Sequence, residues 1–329
     1  MKSYFQLIRW KNLLFLLINQ LLIQFAVVYP ILQTFGFETG IYNHFYLLLN
    51  LSTLLITAGG YVINDYFDLK IDRINKPEKV IINSTISTHA AMIYYQVLTV
   101  AGTILGILLS ILSHSFTLGL IYIVTVGLLW FYSASYKRQF IVGNLIVALT
   151  SSLSILITGI LAISLLKAEY GSNLLNQTPI PSHIYGWTGG FAGFAFLLTW
   201  IREIIKDMED LEGDRQLECR TMPIKWGIDK TKYFLYVLIL FTIGALYFLN
   251  QSYISFDGNL TIRYITVGIV LPLVILGIET GLAKKKEDFH QASTLAKFTM
   301  LMGVIYSLIF SYLTAKANGI SLFGLFIVK

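Results

Sequence analysis

The sequence predicts an all-α integral membrane protein of nine transmembrane helices, and three observations predict it. Of its 329 residues 56% are hydrophobic and only 13% charged, with a mean hydropathy of +0.69, whereas a soluble domain carries about 25% charged residues. Nine apolar stretches are long enough to cross a hydrocarbon core of about 30 Å as helices. Lys and Arg concentrate on alternate connections, as retention of positive charge on the cytoplasmic side requires.

The first span, 11–34, follows Lys2, Arg9 and Lys11 and shows no small-residue cleavage site, so it reads as an uncleaved anchor rather than a secretory signal. The second, 44–64, runs directly into NDYFDLKIDRINKPEK, residues 64–79. The third and fourth, 90–113 and 115–132, follow on short connections, and YSASYKR leads into the fifth, 140–166. The sixth, 186–205, runs into a second polar stretch, REIIKDMEDLEGDRQ, residues 202–216. The seventh, eighth and ninth are 233–249, 264–281 and 298–316. With no Pro/Ser/Gly-rich linker between halves, residues 1–329 read as one membrane domain.

With the N-terminus inside, 20 of the 24 Lys and Arg residues lie in cytoplasmic segments, and Lys167, Arg263, Lys316 and Lys329 lie outside. Nine crossings then place the C-terminus outside. The net charge of +6 reports this orientation and contact with anionic lipid or substrate, and gives no support to nucleic-acid binding. A single cysteine, Cys219, excludes an internal disulfide and a Cys-based metal site and reads as an incidental loop residue. The five histidines are scattered without ligand spacing, which argues against zinc or iron.

The acid is not scattered. Of 18 Asp and Glu residues, 11 fall in two windows, Asp65 to Glu78 and Glu203 to Glu218, each at the predicted cytoplasmic end of a span. Asp65, Asp68 and Asp72 are spaced i, i+3, i+7, with Asn64 beside Asp68, so a continuing helix would stack them on one face. Asp207, Asp210 and Asp214 repeat this spacing 142 residues later, with Glu203 one turn upstream. Four spans intervene, so both windows emerge on the same side with the same polarity. They read as halves of a parallel pseudo-repeat facing a central cavity.

Like carboxylates on one helix face repel unless a cation sits among them. Oxygen ligands without His or Cys point to Mg²⁺, with Ca²⁺ and Mn²⁺ as alternatives, and two facing clusters suit two ions clamping one diphosphate. The competing reading is a pair of solvated loop ends; equal spacing and attachment to apolar spans weigh against it.

NDYFDLKIDRINKP resembles the first aspartate-rich motif, N-D-x-x-D-x-x-x-D, of the UbiA-type intramembrane prenyltransferases, and DLEGD (210–214) resembles their second, D-x-x-x-D. The resemblance implies a nine-helix bundle whose cavity opens sideways to the membrane, and Mg²⁺-dependent transfer of a polyprenyl group from its diphosphate to a lipid or aromatic acceptor. It implies metal and diphosphate ligands at Asn64, Asp65, Asp68, Asp210 and Asp214, with Asp72 and Asp207 as outer members and Asp68, Asp210 and Asp214 central to catalysis. Arg73 and Lys79 fall where basic residues near the first motif would meet phosphate, and Tyr132, Lys137 and Asn144, from a Tyr…Lys…Asn pattern after the fourth span, are substrate-binding candidates that read equally as interfacial anchors, with Arg202 a further substrate-binding candidate. The chain departs from the family where RPIPSG often follows the first motif: here it reads EKVIINSTIS, with Val80 and Thr85 in the Pro and Gly places. Glu218 likewise stands where a Gly often follows the second.

Together with KDMEDLEGDRQ and TMPI, the first motif looks most similar to the branch that adds geranylgeranyl to geranylgeranylglyceryl phosphate. The alternative within the family is an aromatic acceptor such as a quinone precursor. Outside it, a cation-coupled transporter would place ionisable groups near the bilayer midplane, and here they sit at span ends. A CDP-alcohol phosphotransferase would continue its Asp motif with Gly and Arg, where Leu69 and Lys70 stand.

Overall fold

The computed structural model describes residues 2–75, 77–254 and 256–327. Among the described residues nine helices are long and apolar enough to span a membrane: Trp10–Thr34, Asn43–Phe67, Thr88–Leu112, Phe116–Ala134, Val142–Gln177, Ile180–Glu209, Ile228–Tyr253, Leu260–Leu282 and Lys286–Asn318. All nine predicted spans are present, several longer than hydropathy alone marks. The fifth continues to Gln177, kinked at Gly171, whose φ of 80° only glycine adopts without strain. The ninth begins at Lys286, twelve residues early, because Asp288 accepts the Lys284 and Lys285 N–H groups at 2.8 and 2.9 Å and caps a polar first turn. A hairpin pairing Ser321–Leu322 with Phe326–Ile327 was not foreseen.

The chain forms two compact units. One comprises Met1–Lys137 and Leu153–Gly189, the other Arg138–Ser152 and Gly190–Lys329, so the fifth and sixth spans contribute to both. Each unit carries one acidic window.

In the first unit the second and third spans approach through small residues, as helices must where lipid supplies no hydrophobic drive for association. A Cβ on Gly59 would meet Thr99 Oγ1 at 2.4 Å, and one on Gly102 would lie 3.0 Å from the Ile56 nitrogen. The Ser52 hydroxyl donates to the Gly102 carbonyl at 2.7 Å across the same seam. Leu7 of the short helix Lys2–Leu7 is fully buried with Val62, Ile82, Ile86 and Ala91, which ties the N-terminus to the end of the second span.

The second unit centres on Leu198, Ile201, Ile205, Leu235, Leu273 and Phe289, drawn from the sixth to ninth spans. Burying Val, Leu, Ile or Phe side chains from water contributes ~1.5–3 kcal/mol each in a soluble core, but in lipid it is close packing that holds such helices together. Two spans widen into a π turn just before a proline, Gln24–Val28 before Pro30 and Ile265–Val270 before Pro272. Proline lacks the N–H its helix needs and crowds the carbonyl four residues back, and the wider turn accommodates it.

The Gly102 contact gives a stability prediction. Gly102→Leu should lower the unfolding midpoint of detergent-purified protein, at a cost of about 1–3 kcal/mol. Gly127→Ala should change it little, since among the described residues nothing lies within 4 Å of a Cβ there. Equal midpoints for the two variants would contradict the close approach.

Candidate functional site

Neither acidic window lies in a free loop. Asp65 and Asp207 are still inside the second and sixth spans, and each helix is interrupted at the next aspartate of its window. Asp68 has φ −87° and ψ 0°, between the helix Asn43–Phe67 and the short helix Leu69–Asn75. Asp210 has φ −96° and ψ 12°, between Ile180–Glu209 and Leu211–Gln216. These values lie in the sparsely populated bridge region where active-site residues recur. The expected unbroken helix is therefore corrected to a helix with one irregular residue, the same one in both windows. Aspartate suits that place because its carboxylate competes with the helix for backbone partners.

Hydrogen bonds carry the path past the irregularity. The Asp68 N–H donates to the Asn64 carbonyl at 2.9 Å and the Asp72 N–H to the Asp68 carbonyl at 2.8 Å. In the second window Asp210 donates to Lys206 at 2.9 Å and Asp214 to Asp210 at 3.2 Å. The pairs Asp65 and Asp207, Asp68 and Asp210, and Asp72 and Asp214 thus share both spacing and local backbone, which is congruence of a motif rather than of whole halves.

The side chains of Asn64, Asp65 and Asp68 are spoken for. Asp68 accepts from Asn64 Nδ2 at 2.8 Å and pairs with Lys137 Nζ at 2.5 Å, both partners largely buried. Lys137 also reaches Asn64 Oδ1 at 3.5 Å. Asp65 turns elsewhere, to Arg9 Nη2 at 2.7 Å. Desolvation works to lower the pKa of Arg9, and Asp65, Tyr61 and Asp72 together more than offset it, so the guanidinium stays charged. Asp72 is half-buried and Arg73 exposed on the helix Leu69–Asn75. The Lys79 side chain lies outside the described residues.

In the second window Asn144 Nδ2 donates to Asp207 Oδ2 at 2.9 Å. Arg202, expected at substrate, has its Nη1 on Glu203 Oε1 at 2.6 Å, and Lys206 holds the other Glu203 oxygen at 3.2 Å. Glu209 meets His290 Nδ1 of the ninth span at 3.0 Å. Asp214 is buried, and its carbonyl accepts the Cys219 N–H at 2.9 Å. Cys219 is therefore a buried loop residue whose backbone closes the window. Tyr132 sits half-buried in the last turn of the fourth span.

Among the described residues no three His, Cys, Asp or Glu side chains form a ready metal-ligating group. The reason is visible in the partners: Asp65 faces an arginine, Asp68 a lysine and an amide, and Asp207 an amide. The donor chemistry still fits a hard divalent cation, since Asn64 and Asp68 present an amide and a carboxylate already in contact, with further carboxylates one turn away on either side. Asp207, Asp210 and Asp214 offer the same oxygen set in the other unit. The residues sequence reasoning missed are Arg9 and His290. Arg9 entered only as a topological charge, and His290 lay in a stretch read as a loop before the ninth span.

The profile of the UbiA prenyltransferase family matches residues 27–304. The chain is 34% identical to the digeranylgeranylglyceryl phosphate synthase of Saccharolobus solfataricus over 254 residues, 76% of this chain and 79% of that one. To the enzyme of the same name from Methanosphaera stadtmanae it is 30% identical over 267 residues, covering 80% and 87%. Among solved structures, one described as giving structural and mechanistic insights into digeranylgeranylglyceryl phosphate synthase in membranes superposes with a TM-score of 0.61 at 23% identity, covering 94% of this chain and 98% of that chain. A UbiA homologue from Archaeoglobus fulgidus, bound to GPP and Mg²⁺, gives 0.58 at 16% identity, covering 93% and 99%. At these identities the structural likeness concerns the fold.

The Asn144 contact is testable by stability. Asn144→Leu leaves Asp207 short of its amide donor and should destabilise the protein by about 1–3 kcal/mol. Adding Asp207→Leu should recover much of the loss, because two apolar groups leave no orphaned carboxylate. Thermal unfolding in detergent measures both, and a double variant no better than the single would contradict the pairing.

Proposed function

Because the chain belongs to the UbiA prenyltransferase family, we propose that it transfers a geranylgeranyl group from its diphosphate to the free hydroxyl of geranylgeranylglyceryl phosphate. The observation that carries prenyl transfer is the paired window, two aspartate triads of equal spacing and equal backbone at the ends of apolar spans. The choice of acceptor is supported by the relatives at 30–36% identity, which are digeranylgeranylglyceryl phosphate synthases. Residues 1–329 act as one domain on this reading, with both windows serving one reaction.

Asn64, Asp65, Asp68, Asp72, Asp207, Asp210 and Asp214 would hold Mg²⁺, two ions in all, with Asp68, Asp210 and Asp214 central. When bound, Mg²⁺ neutralises the diphosphate and favours departure of its oxygen. The chain itself supplies the remaining charge. Lys137, already against Asp68 at 2.5 Å, and exposed Arg73 would donate charge-assisted hydrogen bonds to phosphate oxygens. Lys79, Tyr132, Asn144 and Arg202 complete the proposed substrate set, Asn144 and Arg202 acting through Asp207 and Glu203, to which they are bonded. As the allylic C–O bond weakens, the prenyl group gains carbocation character and must be kept from water. Apolar spans do this, and their low dielectric strengthens every charge contact at the diphosphate. The acceptor's own phosphate would find Lys137 and Arg138.

The proposed orientation places the N-terminus and both windows in the cytoplasm and the C-terminus outside. Reporter fusions at Lys137 and Lys284 should read cytoplasmic and one at Asp257 external; a cytoplasmic reading at Asp257 would overturn it. Purified protein with Mg²⁺, labelled geranylgeranyl diphosphate and a panel of acceptors should give a lipid-ether product. Prenylation of homogentisate or dihydroxynaphthoate, and not of geranylgeranylglyceryl phosphate, would replace the lipid acceptor by an aromatic one. Asp68→Asn and Asp210→Asn should each reduce Mg²⁺-dependent turnover about a hundredfold or more, with folding intact. Near-normal turnover in either would mean that its window is not part of the site.

A further inference from the structure

Arg9 belongs to neither motif, yet it is the residue on Asp65. It sits between the helix Lys2–Leu7 and the first span with φ 51° and ψ 53°, a left-handed conformation that a side chain with a Cβ adopts at a cost. Such strain persists only where surrounding contacts over-determine it, and here they are specific. The Arg9 N–H donates to the Gln6 carbonyl at 2.9 Å, and its own carbonyl accepts the Asn12 N–H at 2.8 Å. Its guanidinium lies 5.1 Å over the Tyr61 ring, one turn before Asp65 on the same helix. Leu7, two residues earlier, is fully buried against Val62 of that turn. Backbone, ring and apolar anchor together aim one cation at one carboxylate, 2.7 Å away.

Asp65 Oδ1 takes this bond. Asp68, one turn on, has its own cation in Lys137. Two carboxylates on adjacent turns are thus each matched to a positive group delivered from another element, which is the charge balance a divalent cation would otherwise provide.

We propose that Arg9 is a positioning residue that stands in for the divalent cation at Asp65 and gives way when the cation binds. This rests on the metal reading of the first window. A guanidinium and a dication at one carboxylate repel each other, so the metal has to displace Arg9 from Asp65 or share the carboxylate with it. The strained turn gives Arg9 a defined place to hold, and the Tyr61 face a place for the guanidinium to rest when released.

The test uses Mn²⁺ as a spectroscopic substitute for Mg²⁺. Binding to the full-length protein in detergent is followed by electron paramagnetic resonance, and thermal unfolding is measured with and without metal. Arg9→Gln keeps an amide and removes the charge. It should bind Mn²⁺ about tenfold more tightly than the unaltered protein, unfold at a lower temperature without metal, and gain more from added metal. Arg9→Lys, which keeps the charge, should stay close to the unaltered protein in all three readings. A purely structural Arg9 would lower the metal-free midpoint without changing Mn²⁺ affinity, and that result, or weaker binding in Arg9→Gln, overturns the proposal. If the unaltered protein binds no Mn²⁺ at all, the metal reading of the window fails first, so the two failures are distinguishable.

Discussion

A carboxylate at the end of an apolar helix needs a partner, and both acidic windows are arranged around that need. In each, three aspartates at i, i+3 and i+7 would repel if they shared one face unmatched. The chain answers with groups brought from elsewhere: Arg9 from before the first span, Lys137 from after the fourth and Asn144 from the first turn of the fifth, while His290 from the ninth meets Glu209 beside the second triad. The middle aspartate of each triad also leaves helical geometry, so that Asp68 and Asp210 do not continue the regular stack. Within each unit the acidic window is thus steadied by side chains from other elements of that unit.

Much of this was legible in the sequence, for a physical reason. Spans are set by a bilayer thickness that the chain cannot negotiate, so nine apolar runs were found as nine helices among the described residues. The acidic windows were legible because charge at a membrane boundary is costly enough that its repetition at equal spacing is informative. What escaped was whatever depends on contacts between distant residues. Nothing in LIRWK announces that Arg9 turns left-handed and folds back over Tyr61. The early start of the ninth span was missed because its first turns are polar, and hydropathy does not register a helix stabilised by Asp288 at its cap and by His290 against Glu209. The break at Asp68 was missed because spacing alone cannot tell a continuous helix from one with a single irregular residue.

The stretch between the fourth and fifth spans has a property that most loops lack. Within eight residues it supplies Lys137 to the first window and Asn144 to the second, with the Arg138 carbonyl accepting the Arg220 N–H at 2.8 Å between them. Connections between spans usually tolerate insertion and drift in length over evolutionary time. This one is fastened at both ends, and each residue of helix turns a side chain by about 100°. An insertion or deletion between Arg138 and Asn144 would shift Asn144 against Asp207 while the Arg138 carbonyl stayed on Arg220. Across descendants of this sequence, that loop should keep its length while neighbouring loops lengthen and shrink, which makes its residue count a heritable mark of the site, readable even where the aspartates' neighbours have changed.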